Sequence, residues 1–444
     1  MELRELLTDI DHNLISGDSS VQVSGVSYDS RLSGPGDLFV ALPSASHNPE
    51  HGVAHNLKSA FTAGVRSFVI NQADQPAAAP LLLDDAASED TVTVLTVADT
   101  RQALAMISRR WFGFPERELK VVALTGTKGK TTISYMLADM ADAAGVPLGL
   151  IGSNGIIFGD EHLKLPNTTP ESYEIHKTLR LMADAHMAVA VIETTSQGFK
   201  LHRTDGLEFD LGVYTNISND HVSPTEHPTF EDYFACKEQI FDQAKLCFVN
   251  RDAAMFDQIV AAANPSCTIA TYGETDAADI WADGVTAATT VGDMTTSFNC
   301  HWASTNESGG LGATTLAPYD AAGLATPATP GSPTTTDNAG TATPATPVSI
   351  PFTANHPGTP GALGTTATEP GAPGASGSPT TTETDHSGTA TEPTAPATPV
   401  SIPFTMSLPG EFNVSNALAA ISVGRALGWP IEALQRGLKS TQVP

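Results

Sequence analysis

Basic residues are what the sequence most conspicuously lacks. The 444-residue chain holds 22 Lys and Arg against 49 Asp and Glu, a formal net charge of −27, and between Arg251 and Arg425 it has no Lys or Arg at all. Coating a nucleic acid requires clustered cations to neutralise phosphates, so that class of function is excluded; small anions held in local pockets are not. Long apolar runs are missing too. No window reaches the roughly 18 residues of a membrane span, and the start, Met1-Glu2-Leu3-Arg4-Glu5, lacks the basic and apolar regions of a signal peptide. The four cysteines (Cys236, Cys247, Cys267, Cys300) form no CxxC pair, which argues against a zinc site or a disulfide framework. The pattern predicts small buried hydrophobes in a reduced, cytoplasmic protein without membrane or nucleic-acid partners.

Sixteen of the 31 prolines fall within 301–405. Residues 303–399 are rich in Thr, Pro, Ala and Gly and poor in large apolar side chains, so they cannot bury enough surface to offset ordering entropy; a disordered insertion is predicted. The stretch also repeats itself. Gly331-Ser-Pro-Thr-Thr-Thr336 recurs at 377–382, and Pro344-Ala-Thr-Pro-Val-Ser-Ile-Pro-Phe-Thr353 recurs at 396–405. Tandem duplication within a hairpin loop accounts for this, with only the second copy, 400–408, pairing with a strand around 294–302. A repeat domain is the competing reading, but a solenoid needs several repeats with an apolar face.

The remainder reads as α/β, with strands alternating with helices in a mostly parallel sheet. Strands are predicted at 21–28, 37–42, 67–71, 120–124, 187–193 and 210–215, and helices at 53–63, 99–112, after Lys130, at 412–427 and at 431–438. Three segments follow: an N-terminal domain over 1–112, a central domain over 113–302 and 400–444, and the insertion over 303–399.

The strongest local signal is Thr125-Gly-Thr-Lys-Gly-Lys-Thr-Thr132, set between an apolar strand and a helix. In such a loop successive N–H groups wrap a phosphate, a lysine (here Lys130) reaches the terminal phosphates and a hydroxyl (Thr131) binds Mg²⁺. Leu124 stands where the strict Walker pattern has glycine, so the loop is a variant. Glu193 ends an apolar strand, where α/β sheets bind ligands, and either holds a metal or caps an edge. His221, just past another strand, reads alone as structural. Lys237 reads alone as a solvated surface lysine. Asn413 and Asn416, near the start of an apolar helix, either read a base edge or cap the helix, with capping the better reading.

Seven motifs occur together, in order: Tyr28-Asp-Ser-Arg31 with 36–41, 125–132, Asn167-Thr-Thr-Pro-Glu171, Glu193-Thr-Thr-Ser196, Thr215-Asn-Ile-Ser-Asn-Asp-His221, 230–237 and 411–420. Over about 1–300 and 400–444 the chain resembles the Mur ligases, most closely those that add the third residue to UDP-N-acetylmuramoyl-dipeptide. The resemblance implies a small UDP-sugar-binding domain, a P-loop ATPase domain, and ATP-driven amide bond formation through an acyl phosphate in peptidoglycan synthesis. It implies that Gly126, Thr127, Lys128, Gly129, Lys130, Thr131 and Thr132 cradle ATP, with Asn413 and Asn416 near the adenine. Thr131 and Glu193 would hold one Mg²⁺; His221 and a carbamylated Lys237 would serve a second. Lys130, Glu193, His221 and Lys237 form the catalytic set. Tyr28 and Ser30 correspond to uridine contacts, and Asn167, Thr168, Thr169, Thr195 and Arg203 to muramoyl-peptide contacts. The family commonly has Ser at Thr195, and Leu201 replaces a polar residue.

The run Asp220–Pro228 resembles the branch that adds L-lysine rather than diaminopimelate. The implied partners are UDP-N-acetylmuramoyl-dipeptide and a free amino acid, met by a monomer. Family members continue into a third domain that supplies the amino-acid pocket, whereas this sequence stops at Pro444. The expectation is binding of both substrates with poor turnover by this chain alone. Two other readings stand beside this one: a folylpolyglutamate synthase-like ligase, and a non-catalytic, truncated nucleotide- or UDP-sugar-binding protein.

Overall fold

The computed structural model describes residues 1–43, 52–83, 91–220, 222–224, 226–290, 293–302 and 399–442. Two sheets organise them. The first has five strands, β1 (Asn13–Ser16), β2 (Gly25–Ser27), β3 (Asp37–Val40), β4 (Ser67–Asn71) and β5 (Thr93–Val97), in the order β1-β5-β4-β3-β2. All neighbours are parallel except β1 with β5. The strand expected at 21–28 is shorter than its alternation suggested. Only 25–27 meet β3, while Gln22 turns aside to a single bridge with Glu2. The helix Thr100–Trp111 begins where expected, because the Asp99 carboxylate accepts from the N–H groups of Arg101 (2.7 Å) and Gln102 (3.2 Å).

The second sheet contains β6 (Lys120–Thr125), β7 (Leu148–Gly152), β8 (Gly155–Phe158), β9 (Glu161–Leu163), β10 (Val189–Glu193), β11 (Phe209–Tyr214), β12 (Ala244–Asn250), β13 (Thr268–Gly273), β14 (Ile280–Thr290), β15 (Asp293–Trp302) and β16 (Val400–Met406). Their order is β16-β15-β14-β13-β12-β11-β6-β10-β7-β8-β9. The run from β14 to β7 is parallel and both flanks are antiparallel.

Parallel strands covered on both faces read as near-continuous apolar runs. In β6, Val122 and Leu124 face one core, with the helices Lys130–Ala144 and Glu411–Ala426, while Val121 and Ala123 face another, with the helix Ser172–Asp184. β10 alternates the same way: Val189 and Val191 on one side, Ala190 and Ile192 on the other. The four cysteines are free and buried.

The second repeat copy is the return strand. β16 pairs antiparallel with β15, from Thr296 opposite Met406 to Trp302 opposite Val400, and the rings of Phe298 and Phe404 stack 5.9 Å apart. Pro403 is tolerated because β16 is an edge strand of this sheet. The first copy and the rest of 303–398 lie outside the described residues.

Candidate active site

β6 sits between β10 and β11, and successive crossovers leave it in opposite directions. At such a reversal the loops beyond the strand ends diverge and leave a crevice for a ligand. The glycine loop lies there. Gly126 and Gly129 have φ of +134° and +95°, which L side chains rarely adopt. A Cβ on Gly126 would collide with the Thr215 hydroxyl, and one on Gly129 would approach Asn416 Oδ1 to 2.5 Å.

The segment after β11 staples the loop. Thr127 N donates to the Asn216 carbonyl and Lys128 N to Asn216 Oδ1, each at 3.0 Å. The Lys128 carbonyl accepts from Thr215 Oγ1 at 2.7 Å and from Asn216 Nδ2 at 3.1 Å. Beyond Gly129 the helix Lys130–Ala144 starts, so the first-turn N–H groups of Lys130, Thr131 and Thr132 have no intrahelical acceptor and carry the positive end of the dipole. This is an anion cradle.

Lys130 folds back over the loop, donating to the carbonyls of Gly126 (2.7 Å) and Thr127 (3.3 Å). Burial draws its ammonium pKa down, against the pull of Glu193 and Asp220. Lys237 is no surface residue: it is 1% exposed. Its Nζ donates to the same Gly126 carbonyl at 3.0 Å and lies 4.9 Å from the centre of the Tyr233 ring. Burial, then the neighbouring Lys130, pushes its pKa well below the ordinary lysine range, favouring a neutral amine.

Glu193, 2% exposed, faces the first turn of the helix. Its carboxylate accepts from Thr131 Oγ1 at 2.8 Å and from Ser153 N and Oγ, each at 3.2 Å. A hydroxyl and a carboxylate this close are hard oxygen donors, which suit Mg²⁺. Lys237 as an amine does not suit a hard cation, whereas an N-carboxylated lysine would. His221 lies outside the described residues.

The network continues outward from Glu193. Ser153 Oγ meets Thr168 Oγ1 at 3.1 Å. Thr169 Oγ1 donates to the Glu193 carbonyl at 2.8 Å and meets Thr195 Oγ1 at 3.0 Å, and Thr195 caps the helix Ser196–Lys200. Arg203 donates to the Thr169 carbonyl (3.0 Å) and to Glu171 (2.8 Å), whose other oxygen accepts from Arg101 at 2.8 Å. Asn167 is exposed beside them. Tyr28 and Ser30 lie in the turn that follows β2 of the other sheet. The Tyr28 hydroxyl donates to Glu174 at 3.4 Å and its ring lies 5.8 Å from Tyr173, while Ser30 is buried.

The capping reading of the two asparagines is corrected. Gly410 holds the N-cap position without any side-chain cap. Asn413 Nδ2 donates back to the Pro409 carbonyl at 2.8 Å, and Asn416 Nδ2 donates to Asn413 Oδ1 at 3.2 Å. The close approach of Asn416 to Gly129 turns this pair towards the glycine loop, because the helix begins too early for either residue to cap it.

Residues 124–309 match the Mur ligase middle domain. The chain carries that domain. It is 32% identical over 252 residues to the UDP-N-acetylmuramoyl-L-alanyl-D-glutamate–2,6-diaminopimelate ligase of Clostridium perfringens, covering 57% of this chain and 48% of that one. It is 42% identical over 173 residues to the UDP-N-acetylmuramyl-tripeptide synthetase of Lactobacillus acidophilus, covering 38% and 33%. A solved UDP-N-acetylmuramoyl-L-alanyl-D-glutamate–2,6-diaminopimelate ligase shares the fold, with a TM-score of 0.62 at 19% identity over 99% of this chain and 66% of that one. The chain spans 48% to 58% of the length of the first curated relatives it matches.

Within this Mur ligase domain, several site neighbours escaped the sequence reading. Ser153 follows β7, and the end of a parallel strand was the available signal. Tyr233 packs beneath Lys237 and meets Thr127 Oγ1 through its hydroxyl at 3.0 Å, but nothing in its local sequence marked it. Glu171 stood inside a recognised motif without an assigned part, although it joins Arg101 to Arg203. No helix among the described residues is long and apolar enough to cross a membrane.

Proposed function

We propose that this chain provides the nucleotide- and UDP-sugar-binding parts of an ATP-dependent ligase that extends UDP-N-acetylmuramoyl-L-alanyl-D-glutamate by one amino acid, L-lysine, in peptidoglycan precursor synthesis. One observation carries the reading. Lys130, Lys237 and the Thr131–Glu193 pair converge on a single glycine loop at the reversal point of a parallel sheet. The names of its relatives support the substrate class, and the Asp220–Pro228 run supports lysine.

In this reaction a substrate carboxylate oxygen attacks the γ-phosphorus, ADP leaves, and an acyl phosphate remains. The incoming amine then adds to that carbonyl, inorganic phosphate departs, and the amine loses a proton. Lys130 offsets the phosphoryl charge as it develops. Mg²⁺ bound beside the loop would neutralise the phosphate oxygens, with Thr131 and Glu193 holding it. The neutral Lys237 amine adds to CO₂ to give a carbamate and a proton, which converts an uncharged amine into an anionic ligand. His221 would hold a second metal together with that carbamate. Asn413 and Asn416 face the adenine, Thr168, Thr169, Thr195, Arg203 and Asn167 the muramoyl-peptide, and Tyr28 and Ser30 the uridine. The partition into a domain over 1–112 and another over 113–302 with 400–444 follows the same assignment, and the protein acts as a cytoplasmic monomer.

Calorimetric titration tests this. Mg·ATP and UDP-N-acetylmuramoyl-dipeptide are each expected to bind the 444-residue chain, and such slow ADP release as it shows is expected to rise with L-lysine rather than with diaminopimelate. Binding of a folate in place of the UDP-sugar would sink the proposal.

A further inference from the structure

Among the buried titratable side chains that the proposed reaction leaves unused, His227 has the most connections to the site. His227 is 0% exposed, and both ring nitrogens are engaged: Nδ1 meets Asp232 Oδ2 at 2.7 Å and Nε2 meets Ser196 Oγ at 2.9 Å. The same Asp232 oxygen accepts from Lys200 Nζ at 2.7 Å, and that ammonium also donates to the Glu226 carbonyl at 2.9 Å. The His227 carbonyl accepts from Ser223 N at 2.8 Å, closing the 222–227 loop on itself. The imidazole also meets Tyr233 edge-on at 5.2 Å.

Each contact leads to a different part of the site. Ser196 directly follows Thr195 and lies three residues after Glu193. The 222–227 loop follows His221. Asp232 and Tyr233 belong to the helix Phe230–Glu238, which carries Lys237. Cys236 completes a His–Asp–Cys group whose ligand atoms lie within 4.8 Å of one another. The Lys200 ammonium already occupies the Asp232 carboxylate, however, so this group is not a cation site.

We infer that His227 is a positioning residue: held between Ser196 and Asp232, it fixes the strand-end carboxylate Glu193, the loop after His221 and the Lys237 helix in one arrangement, and so sets the metal dependence of nucleotide binding. This rests on the function proposed above. Outer groups that orient metal ligands are worth about 10–100-fold in metal affinity, and a rigid supporting shell holds a site in its productive geometry.

The test compares ATP affinity of the full chain with Mg²⁺ and with EDTA, together with the ¹³C carbamate signal of Lys237 in labelled bicarbonate. In His227→Ala the Mg²⁺-dependent gain is expected to fall about 10–100-fold and the carbamate signal to weaken, while metal-free affinity holds. His227→Gln, which can keep only one of the two bonds, should fall in between. Ser196→Ala removes a single hydroxyl and decides the matter if the His227 variants do not fold: a loss confined to the Mg²⁺-dependent part supports the inference. Parallel loss of metal-free and metal-dependent binding, or no loss, overturns it and leaves a merely structural histidine. A wild-type chain without Mg²⁺-dependent ATP binding overturns the proposed function, and this inference with it.

Discussion

The centre and the far edge of the eleven-stranded sheet are built differently from similar β-rich sequence. At the centre, β6, β10 and β11 are parallel, buried on both faces, and deliver their loops to one end. At the edge, β14, β15 and β16 form an antiparallel meander that buries one face under the helix Glu411–Ala426. A parallel strand must be re-entered through a crossover, and every crossover starts at the same end of the sheet, which is why chemistry accumulates there. A hairpin needs only a turn. Its length costs about 0.6 kcal/mol per doubling, so the β15–β16 connection is a place where a long duplicated stretch is tolerated.

Four experiments would break or sharpen that contrast. The largest effect is expected at the centre. Lys130→Ala should cost on the order of 100-fold in ATP affinity or in turnover, because a preorganised charge at the phosphates is lost; nucleotide titration measures it, and a change under twofold would remove the glycine loop from the chemistry. Next, Lys237→Met should abolish the bicarbonate dependence of Mg²⁺·ATP binding while leaving the melting temperature unchanged or higher, because an amine is no longer buried. Loss of function through unfolding would instead make Lys237 a structural residue.

A third effect lies between the sheets. His176, buried on the helix Ser172–Asp184, has its pKa lowered to about 3 from the ordinary 6.5, first by burial and then by Arg109. Between those values the unfolded chain takes up a proton that the folded chain refuses. Stability from this group is therefore full above about pH 6.5 and declines as the pH falls towards about 3. Denaturant titrations across that range should show a slope that His176→Leu flattens; an identical slope in the variant would assign the acid sensitivity elsewhere. The smallest effect on the site belongs to the edge. Replacing 303–398 with a short turn should leave ATP affinity intact and stabilise the fold by a few kcal/mol at most, as measured by denaturant midpoint. A fall in affinity would show that the two ends of the sheet communicate.

Local pattern was enough for some features. The glycine loop between strand and helix, the helix over 99–112 and the pairing of 400–406 with β15 each depend on neighbouring residues, or on a strand whose partner is the preceding strand of a hairpin. Lys237 was not legible in this way. Its helix is short and mixed in composition, so nothing in 230–238 says which face is covered, and only the resemblance to a family argued against a solvated lysine. The asparagines misled for a related reason. Asn413 and Asn416 are ordinary capping types near a helix start, but the helix begins at Glu411, before either of them, and their amides turn to Pro409, to each other and towards Gly129. His227 left no local signal for its contact with Ser196, which lies 31 positions away in the chain.

The sequence by itself determined the period of each element, the phosphate-cradling loop and the strand that returns after the repeats, since these follow from backbone preference and apolar spacing within a few residues. Only the tertiary structure decided that two lysines 107 positions apart share the Gly126 carbonyl, at (130, 237) in the chain, and that Glu193 meets Thr131. Burial and strand order bring those groups together. Both depend on how distant segments cross, and crossing leaves no mark on the residues nearby.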